Sequence, residues 1–338
     1  MTHKQVTFTK INTAELTEVE HRELKSNEVK VKTSFSSISC GTEKANITGN
    51  RNVDIFSPPK DAVFPIVSGY SSSGTVVEVG SDVKSVKAGD RVAMFWSHHE
   101  EYNIIPEERV VKIEYDNVTM EEAALCHIGN FPMAAIRKTK LAIGESMIIM
   151  GLGILGQIAV HYAHAAGAVP VIAVDPVKER REKALKFGAD YAFDPFEPDF
   201  AEKVKAVTGD GANCAVEVTG NGGGLNGVLD CMAKFGRVAL LGCTRSSDFS
   251  IDYYRKVHGP GITLVGAHTN ARPMGESSQG WFTHRDDMKA QLKLMALKRV
   301  NLKEMIDETF NPKDCTEIYT RLLNDKNFPV ISQFKWEE

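Results

Sequence analysis

Three glycines within six residues, Gly151-Leu-Gly153-Ile-Leu-Gly156, follow the apolar run Ser146–Met150. Asp175 closes a second apolar run nineteen positions after Gly156. A strand that turns straight into a helix needs this spacing. Gly151 permits the tight turn, Gly153 lets backbone approach a pyrophosphate, and Gly156 lets the helix pack close to the sheet. The helix opens at Ile154 and Leu155, and the unpaired N–H groups of its first turn suit an anion. Asp175, at the end of the next strand, can accept hydrogen bonds from both hydroxyls of an adenosine ribose. Strand, glycines, helix, strand and acid in one register predict a unit that binds a nicotinamide dinucleotide.

Upstream of this motif the chain reads as strands. Val6–Lys10, Glu28–Phe35, Gly74–Val79, Arg91–Phe95 and Arg109–Ile113 are alternating or β-branched runs separated by Gly, Pro, Asn and Asp. Thr119-Met-Glu-Glu122 is a capping box and opens a helix. From Ser146 onward strands and helices alternate. Val169–Asp175 leads to a helix at Val177–Phe187, and Cys214–Thr219 leads to a helix at Leu225–Lys234. Arg237–Gly242 and Ile262–Ala267 supply further strands. Short buried strands alternating with helices predict a doubly wound parallel sheet. The tail carries two amphipathic helices, Met288–Leu297 and Cys315–Asn324, and a strand, Val330–Lys335. Gly222-Gly-Gly224 lacks the Lys-Ser/Thr sequel of a phosphate loop and reads as a flexible turn.

The length, 338 residues, suits two domains. A formal charge of −4 supplies no basic field for nucleic acid or an anionic membrane. No run reaches the roughly eighteen apolar residues of a membrane span, and the N-terminus has no apolar leader. The expectation is therefore a cytoplasmic homodimer with a small-molecule substrate, and neither nucleic acid nor membrane as partner. The six cysteines, scattered without a C-x-x-C pair, form neither a disulfide framework nor a zinc knuckle.

Cys40-Gly-Thr-Glu43, Gly74-Thr-Val-Val-Glu-Val-Gly80, Gly89-Asp-Arg-Val92, the glycine motif and Gly188-Ala-Asp190 together resemble the medium-chain dehydrogenase/reductase superfamily over essentially the full length. The resemblance implies an α/β fold in which a Rossmann domain (123–267) is inserted into a GroES-like β-rich catalytic domain (1–122 and 268–338). It implies an active site in the cleft. It also places Arg180 against the adenosine ribose, and the strand-end groups Thr219, Gly242, Cys243, Thr244, His268 and Thr269 against the cofactor.

Zinc-dependent members hold their metal with an early Cys, the His of a Gly-His-Glu motif, and a third Cys or acid. Cys40 matches the first position and Cys126, next to His127, falls at the third. At the second, Tyr70 and Ser71 stand in place of His and Glu, as in a branch resembling the bacteriochlorophyllide-type and bi-domain oxidoreductases. A neutral phenol is a poor zinc ligand, so the expectation is catalysis without metal, unless His98 or His99 substitutes as a ligand. Hydride transfer to a carbonyl then needs another proton donor at the oxygen. The candidates are Tyr70 and Thr42, with Cys40 and His99 in the same cleft set. For Tyr70 the alternative is an aromatic that fills the vacated metal site. For Thr42 it is a backbone-bonding residue of a strand–turn.

The reading is an NAD(H)-dependent oxidoreductase interconverting a polar secondary alcohol or polyol and its ketone. Asp175 disfavours a 2′-phosphate, while Arg180 and Arg181 favour one. One alternative is a zinc-free NADPH-dependent quinone or enoyl reductase. Another is a non-catalytic NAD-binding redox sensor.

Overall fold

The computed structural model describes residues 2–50, 62–244, 247 and 249–336. The chain divides into two compact units, one formed by residues 1–128 with 284–338 and the other by 129–283.

The first unit is built around β3 (Glu28–Ile38), which follows β1 (Thr2–Lys10) and β2 (Thr13–Glu20). Val29 and Val31 point inward between Lys30 and Lys32, the period-two pattern of a half-buried strand. Next come α1 (Cys40–Ile47), β4 (Ile66–Val67), β5 (Ser71–Val79), β6 (Arg91–Phe95), β7 (Tyr102–Pro106), β8 (Val110–Lys112), α2 (Met120–Ala123) and α3 (Cys126–Lys138). One edge of β3 pairs with β5. The other pairs with β7 through residues 28–32, and through residues 35–38 with the last strand of the chain. β1 pairs with β2 and β4 in a separate three-stranded sheet.

The second unit contains β9 (Met147–Met150), α4 (Ile154–Ala165), β10 (Val171–Val174), α5 (Lys178–Lys186), β11 (Tyr191–Phe193), α6 (Phe200–Thr208), β12 (Ala212–Glu217), α7 (Gly222–Asp230), β13 (Met232–Leu240) and β14 (Thr263–Gly266). Its sheet is parallel throughout, in the order β11-β10-β9-β12-β13-β14. Strand order reverses between β9 and β12, and ligands bind at the carboxyl ends of strands at such a switch. The core is made by Ile148, Met150, Ile172, Val174, Val228 and Val238. The chain ends in the first unit with α8 (His284–Ala296), β15 (Glu308–Phe310), α9 (Cys315–Asn324) and β16 (Ser332–Lys335). None of the described helices is long and apolar enough to cross a membrane.

Four local expectations are corrected. The units divide at 128/129 and 283/284 rather than 122/123 and 267/268, because residues 266–282 are fastened to α3. Lys138 donates to the Gly266 and Ala271 carbonyls, Arg272 donates to the Asn130 carbonyl, and the Arg137 guanidinium lies 3.9 Å from the centre of the Phe282 ring. Thr42 lies in helix α1, not a strand–turn; the Glu43 carboxylate reaches back to accept the Ser39 N–H at 2.7 Å and so stabilises the helix start. Gly222-Gly-Gly224 is the first turn of α7, because the Asn221 side chain caps Gly224 N–H at 2.8 Å. Met232–Lys234 belong to β13 rather than to that helix.

Candidate active site

In the second unit, Gly151 has φ +98°, and a Cβ there would lie 3.0 Å from the Thr219 side chain. Its N–H donates to the Val174 carbonyl at 2.7 Å, which ties the turn to the end of β10. A Cβ on Gly156 would run into the Gly151 carbonyl. Gly153, the residue before Ile154 and Leu155 of α4, has open space where a side chain would be. Gly151 thus serves the turn and Gly156 the close packing of helix on strand, and the open first turn of α4 is of a kind that suits an anion.

Asp175 is buried, and backbone groups orient its carboxylate. Oδ2 accepts the Leu152 N–H at 2.8 Å and Oδ1 accepts the Val177 N–H at 2.9 Å. Each carboxylate oxygen has a second lone-pair site for a hydroxyl. Arg180 lies 3.7 Å from Oδ2. Arg181 is tied down, donating to the Asp175 carbonyl at 2.6 Å and to Asp194 at 3.1 Å. The residues present therefore fit the adenosine half of a dinucleotide.

The loops after β12 and β13 meet at the same sheet edge, since a Cβ on Gly242 would strike the Gly220 nitrogen. Glu217, which the sequence reading missed, holds the first of these loops. Its carboxylate accepts Thr219 N–H at 2.7 Å and Gly220 N–H at 3.2 Å, and it also bonds the Thr219 hydroxyl. Burial raises the pKa of this carboxyl. A Glu closing an apolar strand just before Thr-Gly was the available signal. Cys243 is exposed, and Thr244 follows it. After β14, His268 is half-buried, and burial, then Lys138, holds it below the ordinary imidazole range. Thr269 Oγ1 is buried without a hydrogen-bond partner among the described residues.

In the first unit, Gly69 has φ +90°, and a Cβ there would lie 2.6 Å from the His99 backbone nitrogen. Glycine at this point delivers Tyr70 to its position. The Tyr70 hydroxyl donates to Ser39 Oγ at 2.6 Å and is also hydrogen-bonded by the Thr42 side chain. Burial holds the phenol well above its ordinary 10 despite these bonds. Tyr70 is thus neutral and carries its proton at physiological pH. Its ring lies 6.0 Å from Trp96 and edge-on to His127 at 5.6 Å.

Cys40 lies near enough to Tyr70 to help raise its pKa, and the other candidates have partners of their own. Cys40 Sγ is directed at the Pro329 and Val330 carbonyls, 3.7 and 3.9 Å away. Cys126 is fully buried, and burial raises the pKa of its thiol. His99, expected in the catalytic set, is instead an interior residue with no solvent exposure. Its Nδ1 lies 2.7 Å from Ser36 Oγ and its Nε2 lies 3.3 Å from both Glu43 oxygens. Glu43 also accepts Ser68 Oγ–H at 3.2 Å and the Tyr319 hydroxyl. Burial works to raise the Glu43 pKa, but His99, Tyr319 and Ser39 outweigh it and hold it below the usual range. Neighbouring His98 is held below the ordinary imidazole range by burial. Among the described residues, no three His, Cys, Asp or Glu side chains converge as a ligand set. A neutral phenol, a buried thiol and a thiol bonded to carbonyls do not fit catalytic zinc.

Two family models match the chain. The alcohol dehydrogenase GroES-like domain matches residues 25–170, and the zinc-binding dehydrogenase model matches residues 155–279. D-guloside 3-dehydrogenase of Shigella flexneri is 27% identical over 288 residues, covering 80% of this chain and 82% of that protein. L-threonine 3-dehydrogenase of Pyrococcus abyssi is 30% identical over 281 residues, covering 75% and 79%. Galactitol-1-phosphate dehydrogenase of Escherichia coli superimposes with a TM-score of 0.85 over 98% of this chain and 99% of that one, at 19% identity. That last likeness shows the fold.

Proposed function

Because the chain belongs to the zinc-type alcohol dehydrogenase-like, medium-chain dehydrogenase/reductase superfamily, we propose that it is an NAD(H)-dependent oxidoreductase of a polar secondary alcohol or polyol, working without catalytic zinc. Relatives named as dehydrogenases of a guloside, of threonine and of sorbitol support the class of polar secondary alcohols. The observation that carries the reading is the proton-bearing Tyr70 hydroxyl, fixed by Ser39 and Thr42; the resemblance to the superfamily implies a histidine ligand there in zinc-type members.

The nicotinamide cofactor, when bound, supplies the hydride acceptor or donor. The first turn of α4 would hold its pyrophosphate, with Gly153 leaving the space. Asp175 would accept the ribose hydroxyls, and its charge disfavours a 2′-phosphate. Arg181 is spent on Asp175 and Asp194, which removes one of two candidate phosphate ligands. In ketone reduction Tyr70 Oη–H would turn from Ser39 Oγ to the substrate oxygen and donate its proton there, with solvent water restoring it; alcohol oxidation needs the phenolate as the proton acceptor. Ser39 and Thr42 orient that hydroxyl. A homodimer in the cytoplasm remains our expectation for its working form.

The test is an assay of the purified protein with secondary alcohols, polyols and their ketones, followed by nicotinamide absorbance. Turnover with NAD(H) supports the proposal. Turnover confined to NADPH with quinones or enones would replace it by the alkene-reductase reading. Dinucleotide binding without turnover of any substrate would favour a sensor.

A further inference from the structure

Lys138 ends α3 inside the nucleotide-binding unit, and its ammonium joins two points of one loop. Nζ donates to the Gly266 carbonyl at 3.0 Å and to the Ala271 carbonyl at 2.5 Å, so its bonds bracket His268 and Thr269 on both sides. The loop closes on itself through Ala271 N–H, which donates to the His268 carbonyl at 2.9 Å. The Trp281 ring lies 5.2 Å from Nζ, a cation–π distance. The charged and titratable groups facing Lys138 are Arg272 and His268.

We infer that Lys138 is a positioning residue for the dinucleotide, stapling both ends of the 266–271 loop and so fixing the backbone of His268 and Thr269 for the bound cofactor. The inference rests on the dinucleotide reading of this unit. Backbone carbonyls of a short loop need strong donors to stay in one arrangement, and a charge-assisted bond is about twice as strong as a neutral one. The buried Thr269 hydroxyl, which has no hydrogen-bond partner among the described residues, is an independent sign that this loop awaits a polar group. The ammonium sits there at a cost: burial, then the Arg272 guanidinium, brings Lys138 down to about 8. Groups displaced this far from their ordinary values concentrate at functional sites.

The test compares Lys138→Met, Lys138→Gln and Lys138→Arg with the wild-type chain by two readouts, NADH affinity by fluorescence titration and amide hydrogen exchange of the free protein. Lys138→Met should weaken NADH about tenfold, the scale of one lost charge-assisted bond. It should also speed exchange within 266–271 while leaving the strands unchanged. Lys138→Arg, which keeps the charge and donors, should recover most of the affinity. A merely structural lysine would instead loosen the whole unit. If Lys138→Met does not fold, Lys138→Gln carries the same expectations at smaller size. Wild-type affinity and wild-type loop exchange in a folded neutral variant would overturn the inference alone. A wild-type chain that binds no nicotinamide dinucleotide would overturn the reading beneath it as well.

Discussion

His99 Nε2 lies 3.3 Å from the Glu43 carboxylate, and neither side chain reaches solvent. The carboxylate of the Cys40-Gly-Thr-Glu43 motif is therefore used inside the first unit. Ser36 completes the histidine, while Ser39, Ser68 and Tyr319 complete the carboxylate. A buried pair satisfied on all sides is stable as a unit and costly to halve.

Glu43→Gln and His99→Ala should each destabilise the protein by about 3–5 kcal/mol, since either leaves a buried polar partner uncompensated. Denaturant unfolding checks this, and a loss under about 1 kcal/mol would show that the network relaxes at little cost. The sign of the pH effect follows from the Glu43 pKa, which lies below its ordinary value. Its stabilisation is present in full above the ordinary carboxylate range and is lost as pH falls through the folded-state value.

NAD(H) should bind about ten- to a hundredfold more tightly than NADP(H), the scale of a charge-assisted bond to a fixed carboxylate. Asp175→Ala should erase the preference by weakening NAD(H). Calorimetry with both cofactors checks it. Equal or tighter NADP(H) binding by the unaltered chain would assign Arg180 to a 2′-phosphate.

Tyr70→Phe should lower turnover by about 10²- to 10⁴-fold and leave cofactor affinity alone. Because burial raises the phenol above 10, no alkaline fall in rate below that pH should arise from Tyr70. A fully active Tyr70→Phe would move proton delivery to Thr42 and leave Tyr70 as packing.

Lys138 should titrate near 8 by lysine-selective carbon NMR, in place of the usual 10.5. A depressed lysine means that the folded unit binds this proton less tightly than the unfolded chain. The associated penalty is therefore present below about 8 and lifts as pH rises towards 10.5. An ordinary value would remove burial as the cause.

The dinucleotide-binding half was legible because local chemistry decides it. Gly151, Gly153 and Gly156 act within one turn, and Asp175 ends the adjacent strand. What eluded the sequence depends on distant partners. His99 reads as a cleft histidine until β3 and α1 bring Ser36 and Glu43 to its two nitrogens. Cys40 has the carbonyls at 329–330 beside its sulfur, a contact from nearly three hundred residues away. Glu217 was overlooked because its role is to hold the backbone of its own loop. The domain boundary moved because Lys138, Arg137 and Arg272 fasten a segment more than a hundred residues downstream.

The most direct test of zinc-free alcohol chemistry is the rate of NAD+ reduction by a polyol or secondary-alcohol panel, measured before and after exhaustive chelation with zinc content determined on the same sample. The account predicts well under one zinc per chain, NADH formation with at least one polar secondary alcohol, and the same rate after chelation. Stoichiometric zinc whose removal abolishes that rate, restored by adding zinc back, would contradict it.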